Sequence, residues 1–169
     1  MNEPSVYKNY FENYTSQVVE KDIISAFSGQ EKILNDFLDS VSEEKSTYAY
    51  AQGKWTLKEM LQHTIDTERI FAYRALAIAR KETATLPGFD ENLYADNSNA
   101  NSRNWDNLTQ EIKVVRNSTR ILFESFTEEM LQSNGNFSSS NGSANTLGFI
   151  IVGHVYHHIK IAKKKYLLT

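Results

Sequence analysis

The chain has 169 residues, the length of one compact domain, and 40% of them are hydrophobic, which is enough to form a core. It contains no cysteine, which excludes disulfides, iron–sulfur clusters and thiol nucleophiles, so a transition metal would need His, Asp or Glu ligands. The formal net charge of −3 argues against a nucleic-acid partner. No segment has the character of a signal peptide or a membrane span, so we expect a cytoplasmic protein with no membrane partner.

Four segments carry apolar residues at the three- and four-residue spacing of one helix face. They run from Val18 to Val41, from Thr56 to about Arg80, from about Asn104 to about Phe126, and from Asn145 or Thr146 to Leu167. The second segment opens with Thr56 and Glu59, which form a capping-box pattern. Nothing between the segments alternates as a strand does. The sequence therefore predicts an all-α fold, a four-helix bundle that occupies residues 1–169 as a single domain.

The connections between the predicted helices differ in character. Leu86-Pro87-Gly88 ends the second helix, and the polar, Asn-rich stretch from there to Asn101 predicts a long surface crossover. The segment from Ser133 to Ser143 is rich in Asn, Gly and Ser and predicts a flexible loop. Residues 1–17 precede the first helix, and we expect them to form a strap across the bundle or a partner surface. Their aromatic residues are Tyr7, Tyr10, Phe11 and Tyr14.

Three of the four histidines lie within five residues of one another on the fourth predicted helix. His154 and His158 share one face in the middle of the buried arc, whereas His157 lies at the edge of that arc. Helices use this i, i+4 spacing to bind one metal ion with two imidazoles. His63 lies on the flank of the apolar face of the second helix, from which it could also reach the interior.

Two interpretations of these histidines are open. Three imidazoles converging from two helices would form a metal site with open positions for water or substrate, as catalytic sites do. Alternatively, each is a hydrogen-bonded core residue. Glu68 falls in the apolar arc of the second helix, either as a general base or in a buried bridge to an Arg or Tyr on a neighbouring helix. Arg74 shares the flank of His63 and is our candidate for binding an anionic part of the substrate.

Several stretches of the chain resemble the DinB-like superfamily, in its branch of metal-dependent hydrolases. The matching stretches are Gly53–His63, Ile65–Leu76, Leu86–Asn92 and Gly153–His158, and the likeness extends over residues 18–168. It implies an up-down-down-up four-helix bundle with a divalent metal, commonly zinc or nickel, held by three histidines. By their places in the motifs the ligands would be His63, His154 and His158, and His157 would not bind the metal.

The resemblance implies a metal-dependent enzyme with a small-molecule substrate, and two activities fit it equally. The metal would lower the pKa of a water, which gives hydrolysis, or that of a low-molecular-weight thiol such as bacillithiol, which gives S-transfer. Since the chain has no cysteine, the thiol would come from a cosubstrate. The alternative is a non-catalytic metal-binding interaction protein, in which side chains fill the open coordination position. Relatives are often dimeric, so we also expect a homodimer.

Overall fold

The computed structural model of the protein describes residues 11–166. In chain order its helices are α1 (Ile23–Asp39), α2 (Glu43–Ser46), α3 (Leu57–Ala79), α4 (Glu91–Asn97), α5 (Trp105–Glu124), α6 (Glu128–Leu131) and α7 (Ala144–Ile161). Residues 11–15 are also helical, and a π-helical turn, Ala162–Tyr166, follows α7. Two short strands, β1 (Asn134–Phe137) and β2 (Ser140–Ser143), precede α7. The long helices α1, α3, α5 and α7 form a four-helix bundle, which confirms the predicted fold class. Within residues 11–166, no helix is both long and apolar enough to span a bilayer.

The long helices begin where short polar side chains cap them. At the start of α3 the backbone N–H of Glu59 donates to Thr56 Oγ1 at 3.1 Å, and the N–H of Thr56 donates to Glu59 Oε2 at 2.8 Å. This reciprocal capping box was predicted, and it satisfies two N–H groups that the helix itself leaves unpaired. The first helix begins later than predicted, because Asp22 caps it by accepting from the N–H of Ser25.

The segment predicted to be a flexible loop is instead an antiparallel hairpin of β1 and β2. Phe137 anchors it in the core with only 1% of its surface exposed. Leu86 pairs alongside, since its N–H donates to Asn136 O at 2.9 Å and its carbonyl accepts from Ser138 N at 2.7 Å. These bonds join segments distant in sequence, whereas the Asn, Gly and Ser composition has low strand propensity. The prediction was wrong because tertiary contacts override that propensity.

The bundle buries two hydrophobic clusters stacked along its axis. The aromatic cluster joins the start of α1 and α7 to the end of α3 and α5, and its rings include Tyr14, Phe27, Phe71, Phe123 and Phe137. The aliphatic cluster joins the opposite ends of the same helices, with Leu34, Leu38, Leu61, Ile65, Leu108, Ile112 and Val155 among its members. Helices α1 and α7 therefore run in one direction and α3 and α5 in the other, which is the up-down-down-up order. Because α3 and α5 are parallel, the chain between them must return along the bundle.

A layer of buried polar residues, here called the polar layer, separates the two clusters. On each long helix its residues fall between the last member of one cluster and the first member of the other. The polar layer consists of Gln30 on α1, Thr67 and Glu68 on α3, Arg116 and Thr119 on α5, and His154 on α7. Gln30 Nε2 donates to Val152 O at 2.7 Å, and Glu68 Oε2 lies 2.8 Å from Arg116 Nη2. The middle of the bundle is thus held by polar contacts between helices.

Candidate metal centre

The structure brings His63 of α3 together with His154 and His158 of α7. Nε2 of His154 lies 3.1 Å from Nε2 of His63 and 3.0 Å from Nε2 of His158. One ring nitrogen from each residue lies within 4.8 Å of the other two. Two nitrogens that are each about 2.0–2.1 Å from one ion are about 2.9 Å apart in octahedral and about 3.3 Å apart in tetrahedral coordination, and the separations of 3.0 and 3.1 Å fall between these values. The fourth histidine, His157, is not in this group; its ring packs edge-on against Tyr14.

Hydrogen bonding within the histidine group cannot satisfy its nitrogens. A ring nitrogen of a neutral imidazole has either one hydrogen or one lone pair, directed along a single line in the ring plane. Nε2 of His154 therefore cannot bond well to both of its neighbours. Nδ1 of His158 is buried and has no hydrogen-bond partner among residues 11–166. A cation shared by the three Nε2 lone pairs would resolve the conflict at His154, while Nδ1 of His158 would still have no partner among these residues. Imidazole nitrogens suit zinc and nickel.

The three histidines are in the protonation state that binds metals. Burial, followed by the charge of His157, lowers the pKa of His63 to about 4. Burial also lowers the pKa of His154 and of His158 well below the usual value, and the neighbouring histidines lower both further. At neutral pH all three rings are therefore uncharged. A metal would not have to displace protons from these ligands, so the group is ready for a divalent cation.

Packing of aromatic rings holds the histidines in place. The ring of Tyr14 packs edge-on against His154, with the ring centroids 5.3 Å apart. Trp55 packs against His63 at 4.8 Å, and its carbonyl accepts from the hydroxyl of Tyr166 at 2.7 Å. The segment around Tyr14 crosses α7 so closely that a Cβ on Gly153 would lie 2.1 Å from Tyr14 O. Glycine at position 153 therefore permits the contact between Tyr14 and the adjacent histidine.

Only some of the residues predicted to form the strap lie within the described part of the chain. Tyr7 and Tyr10 lie outside the described residues. Tyr14 is buried in the aromatic cluster, and Phe11 packs against Phe71 and Phe137. The two described rings thus cover the bundle beside the histidines.

The three histidines line an open pocket of about 250 Å³. Its walls come from α3, α7, the strap, the crossover before α4 and the tip of the hairpin. Five of the twelve other described lining residues are aromatic. Arg74 and Glu91 are the charged ones among the described residues, and Ser138 and Ser140 add hydroxyl groups. The pocket can therefore hold a small molecule against the histidine nitrogens.

Glu68 does not line this pocket. It lies in the polar layer, where its carboxylate faces Arg116 of α5. Burial raises the pKa of Glu68, and the guanidinium of Arg116 partly offsets that effect. The geometry thus gives Glu68 the ion-pair role that the sequence left open. Its role as a general base stays a prediction.

Arg74 is buried in the wall of the pocket and donates through Nη2 to Pro87 O at 2.6 Å. Glu91 was missed by the sequence analysis. It lies in the first turn of α4, is exposed, and is the one carboxylate among the described residues that lines the pocket. The matching stretch Leu86–Asn92 contains it, but α4 was not predicted, so nothing in the sequence indicated that Glu91 would line the same pocket as His63.

No curated protein matches the chain. A similar solved structure is that of YfiT from Bacillus subtilis, described as a probable metal-dependent hydrolase with an unusual four-helix bundle topology. The likeness covers 84% of this chain and 85% of that chain, with 13% sequence identity and a TM-score of 0.72, which shows a shared fold. The family model of the DinB superfamily matches residues 26–162. Since that match spans most of its length, the chain belongs to the DinB superfamily.

Proposed function

We propose that this protein is a metal-dependent hydrolase of a small molecule, with a divalent cation, zinc or nickel, held by His63, His154 and His158. The observation that carries the proposal is the convergence of three imidazoles at the wall of an open pocket. Three protein ligands leave coordination positions for water or substrate, as catalytic sites require. YfiT, which shares the fold, is described as a probable metal-dependent hydrolase, and this description agrees with the proposal.

Different residues of the pocket would have different roles in hydrolysis. When bound, a divalent cation supplies Lewis acidity, which lowers the pKa of a water or polarises the bond to be cleaved. Glu91 is our candidate for accepting the proton of the attacking water at a carboxylate oxygen, because it is the described carboxylate that faces the pocket. The aromatic side chains, Phe71 and Phe89 among them, exclude water and contact the apolar part of the substrate.

S-transfer from a low-molecular-weight thiol would use the same three histidines. The thiol would be a cosubstrate, since the chain contains no cysteine. A non-catalytic metal-binding protein would be expected to fill the open coordination position with its own side chains. The open pocket beside the histidines argues against this third function.

Metal analysis of single variants tests the proposal. We expect the wild-type protein to bind one zinc or nickel ion per chain. His63→Ala, His154→Ala and His158→Ala should each abolish stoichiometric binding. His157→Ala is the matched control, because His157 is on the same helix but outside the group, and it should keep the metal. Absence of metal from the wild type after reconstitution, or loss of it in the His157 variant, would contradict the ligand assignment.

Assays on the loaded protein then distinguish the activities. A panel of esters and amides tests hydrolysis, and a conjugation assay with bacillithiol tests S-transfer. Glu91→Gln should keep the metal and lose hydrolysis if Glu91 accepts the proton. If the protein conjugates bacillithiol but hydrolyses none of the esters and amides, its function is S-transfer and not hydrolysis.

We also propose that the protein is a homodimer. Large apolar side chains are exposed on one side of the crossover, where Tyr73, Leu93 and Tyr94 are about half accessible. The commonest oligomer is an isologous dimer, in which such a surface meets its own copy. Sedimentation at micromolar concentration measures the mass, and a single species near 19.4 kDa would contradict the dimer.

A further inference from the structure

Arg74 carries a positive charge that the described protein leaves without an acidic partner. Only 3% of its surface is exposed, and none of the ion pairs within residues 11–166 involves it. Burial lowers its pKa, and no acidic group contributes to the shift. Every other strongly buried Lys or Arg of the described chain is paired: Lys58 with Glu43 and Arg116 with Glu68. Burying a cation without an anion is unfavourable, and a bound anion from outside the chain would offset that cost.

The surroundings of Arg74 hold the guanidinium without neutralising it. The rings of Phe71 and Phe137 lie 4.8 and 5.6 Å from its central carbon, and Phe89 lies at 5.9 Å. The carbonyl of Pro87 accepts one of its N–H groups. Aromatic faces and a carbonyl orient the planar fork but carry no net charge. The fork is therefore fixed in place at the wall of the pocket.

The hairpin tip adds hydroxyl groups to the same pocket. Ser138 and Ser140 both line it, next to Phe137, which contacts Arg74. The Oγ atom of Ser140 is buried and has no hydrogen-bond partner among the described residues. A hydroxyl donor and a guanidinium that line the same pocket suit the oxygens of a carboxylate or a phosphate. This is a second, independent sign that a polar ligand is missing here.

Arg74 and the histidines lie along one pocket. Arg74 follows His63 by eleven residues on α3, a rise of about 16 Å, and both side chains line the same pocket. We infer that Arg74 binds an oxyanion group, carboxylate or phosphate, of the substrate, while the reacting bond lies at the three histidines. This inference rests on the proposed function and names its substrate class as small organic anions. At roughly 30 Å³ per water-sized group, the pocket of about 250 Å³ holds a compact substrate.

Anion titration of the metal-loaded protein tests the inference. The probes are acetate, inorganic phosphate and, as the neutral analogue, acetamide. Calorimetry gives their affinities for the wild type, Arg74→Met, Arg74→Gln and Arg74→Lys. We expect Met and Gln to weaken the preferred anion about tenfold or more, since a hydrogen bond to a charged group is lost. Lys should weaken it less, because it keeps the charge but not the fork. Whether acetate or phosphate binds more tightly identifies the anionic group.

Arg80→Met is the matched control, because Arg80 caps the same helix, is exposed and contacts Phe126 away from the pocket. It should leave anion affinity within about twofold. Metal content is measured for every variant, so that an anion bound to the metal is recognised by its persistence in Arg74→Met. The Gln variant keeps a donor for Pro87 O and remains informative if Met prevents folding.

Unchanged anion affinity in the Arg74 variants, an equal loss in Arg80→Met, or equal binding of acetamide would overturn the inference. Loss of anion binding with full metal content supports it. Failure of the wild type to hold metal would instead overturn the proposed function, and the dependence of anion binding on Arg74 would still be read from the same titrations.

Discussion

The two hydrophobic clusters of the bundle differ in how completely the polar groups beside them are paired. In the aliphatic cluster the polar atoms at the edge are paired: Trp105 Nε1 donates to Leu38 O at 3.1 Å, and Lys58 donates to Glu43 and to Arg103 O. Around the aromatic cluster, Arg74 forms no ion pair with a carboxylate of the described chain, and a pocket opens beside it. The buried polar groups of one end are thus paired by the protein's own residues, whereas the other end has an open pocket and a buried cation without an acidic partner, where we propose that a ligand binds.

The histidines lie where these two ends meet. His154 belongs to the polar layer, and His63 is one turn of α3 before Thr67 of the same layer. Helices α3 and α7, which carry the three histidines, both contribute buried residues to the aliphatic cluster, and this packing restrains the imidazoles. Their other side faces the pocket. If a metal binds to these histidines as proposed, such an arrangement would hold its ligands in position while leaving the metal accessible from the pocket.

The largest expected effect comes from breaking the ion pair of the polar layer. Glu68→Leu leaves the guanidinium of Arg116 buried and unpaired, and we expect the free energy of unfolding to fall by about 3–5 kcal/mol. The double variant Glu68→Leu/Arg116→Met removes both charges and should recover most of that loss. Urea unfolding of the single and double variants measures the difference. If the double variant is no more stable than Glu68→Leu, the loss of stability does not come from leaving Arg116 unpaired.

Leu108→Ala serves as the reference from the aliphatic cluster. Leu108 is fully buried, and truncation of a buried leucine lowers the free energy of unfolding by about 2–5 kcal/mol. We expect this variant to bind metal as the wild type does at a temperature where it is folded. A large loss of metal affinity in Leu108→Ala would show that the aliphatic cluster also determines metal binding, contrary to the distinction drawn between the two clusters.

A smaller effect is expected where the segment around Tyr14 crosses α7. Gly153→Ala places a methyl group 2.1 Å from a backbone oxygen, and overpacking of this kind lowers the free energy of unfolding by about 1–3 kcal/mol. Metal affinity should fall as well, because Tyr14 packs against His154. Thermal unfolding with and without metal measures both effects. Unchanged stability and metal affinity in this variant would mean that the crossing does not support the site.

Gly29→Ala is the matched control for that substitution. Gly29 is exposed in the interior of α1, and the nearest obstacle to a Cβ is Glu20 Oε1, the end of a flexible side chain. Alanine is favoured over glycine in a helix by up to about 1 kcal/mol, so we expect a neutral or slightly stabilised protein. A destabilised Gly29→Ala would show that the effect at position 153 is not specific to the crossing.

Local patterns in the sequence predicted the four long helices and made a histidine group one of two open interpretations, and the resemblance to the DinB-like superfamily then favoured the metal site. The period of apolar residues located the four long helices, and Thr56 with Glu59 marked the start of α3, because these signals act within one or two turns. The i, i+4 spacing of His154 and His158 placed both rings on one face of α7. The flank position of His63 allowed it to join them, and the structure brings the three rings together.

The tertiary structure decided everything that depends on contacts between distant segments. The hairpin exists because Phe137 is buried and Leu86 pairs beside it, and neither contact is visible in a polar stretch of sequence. Arg116 became the partner of Glu68 through the rotation of α5 against α3, which the period of one helix does not specify. Glu91 reaches the pocket only because the crossover folds back over α3. Local patterns are fixed by hydrogen bonds and spacing within an element, whereas partners across elements depend on how the elements pack.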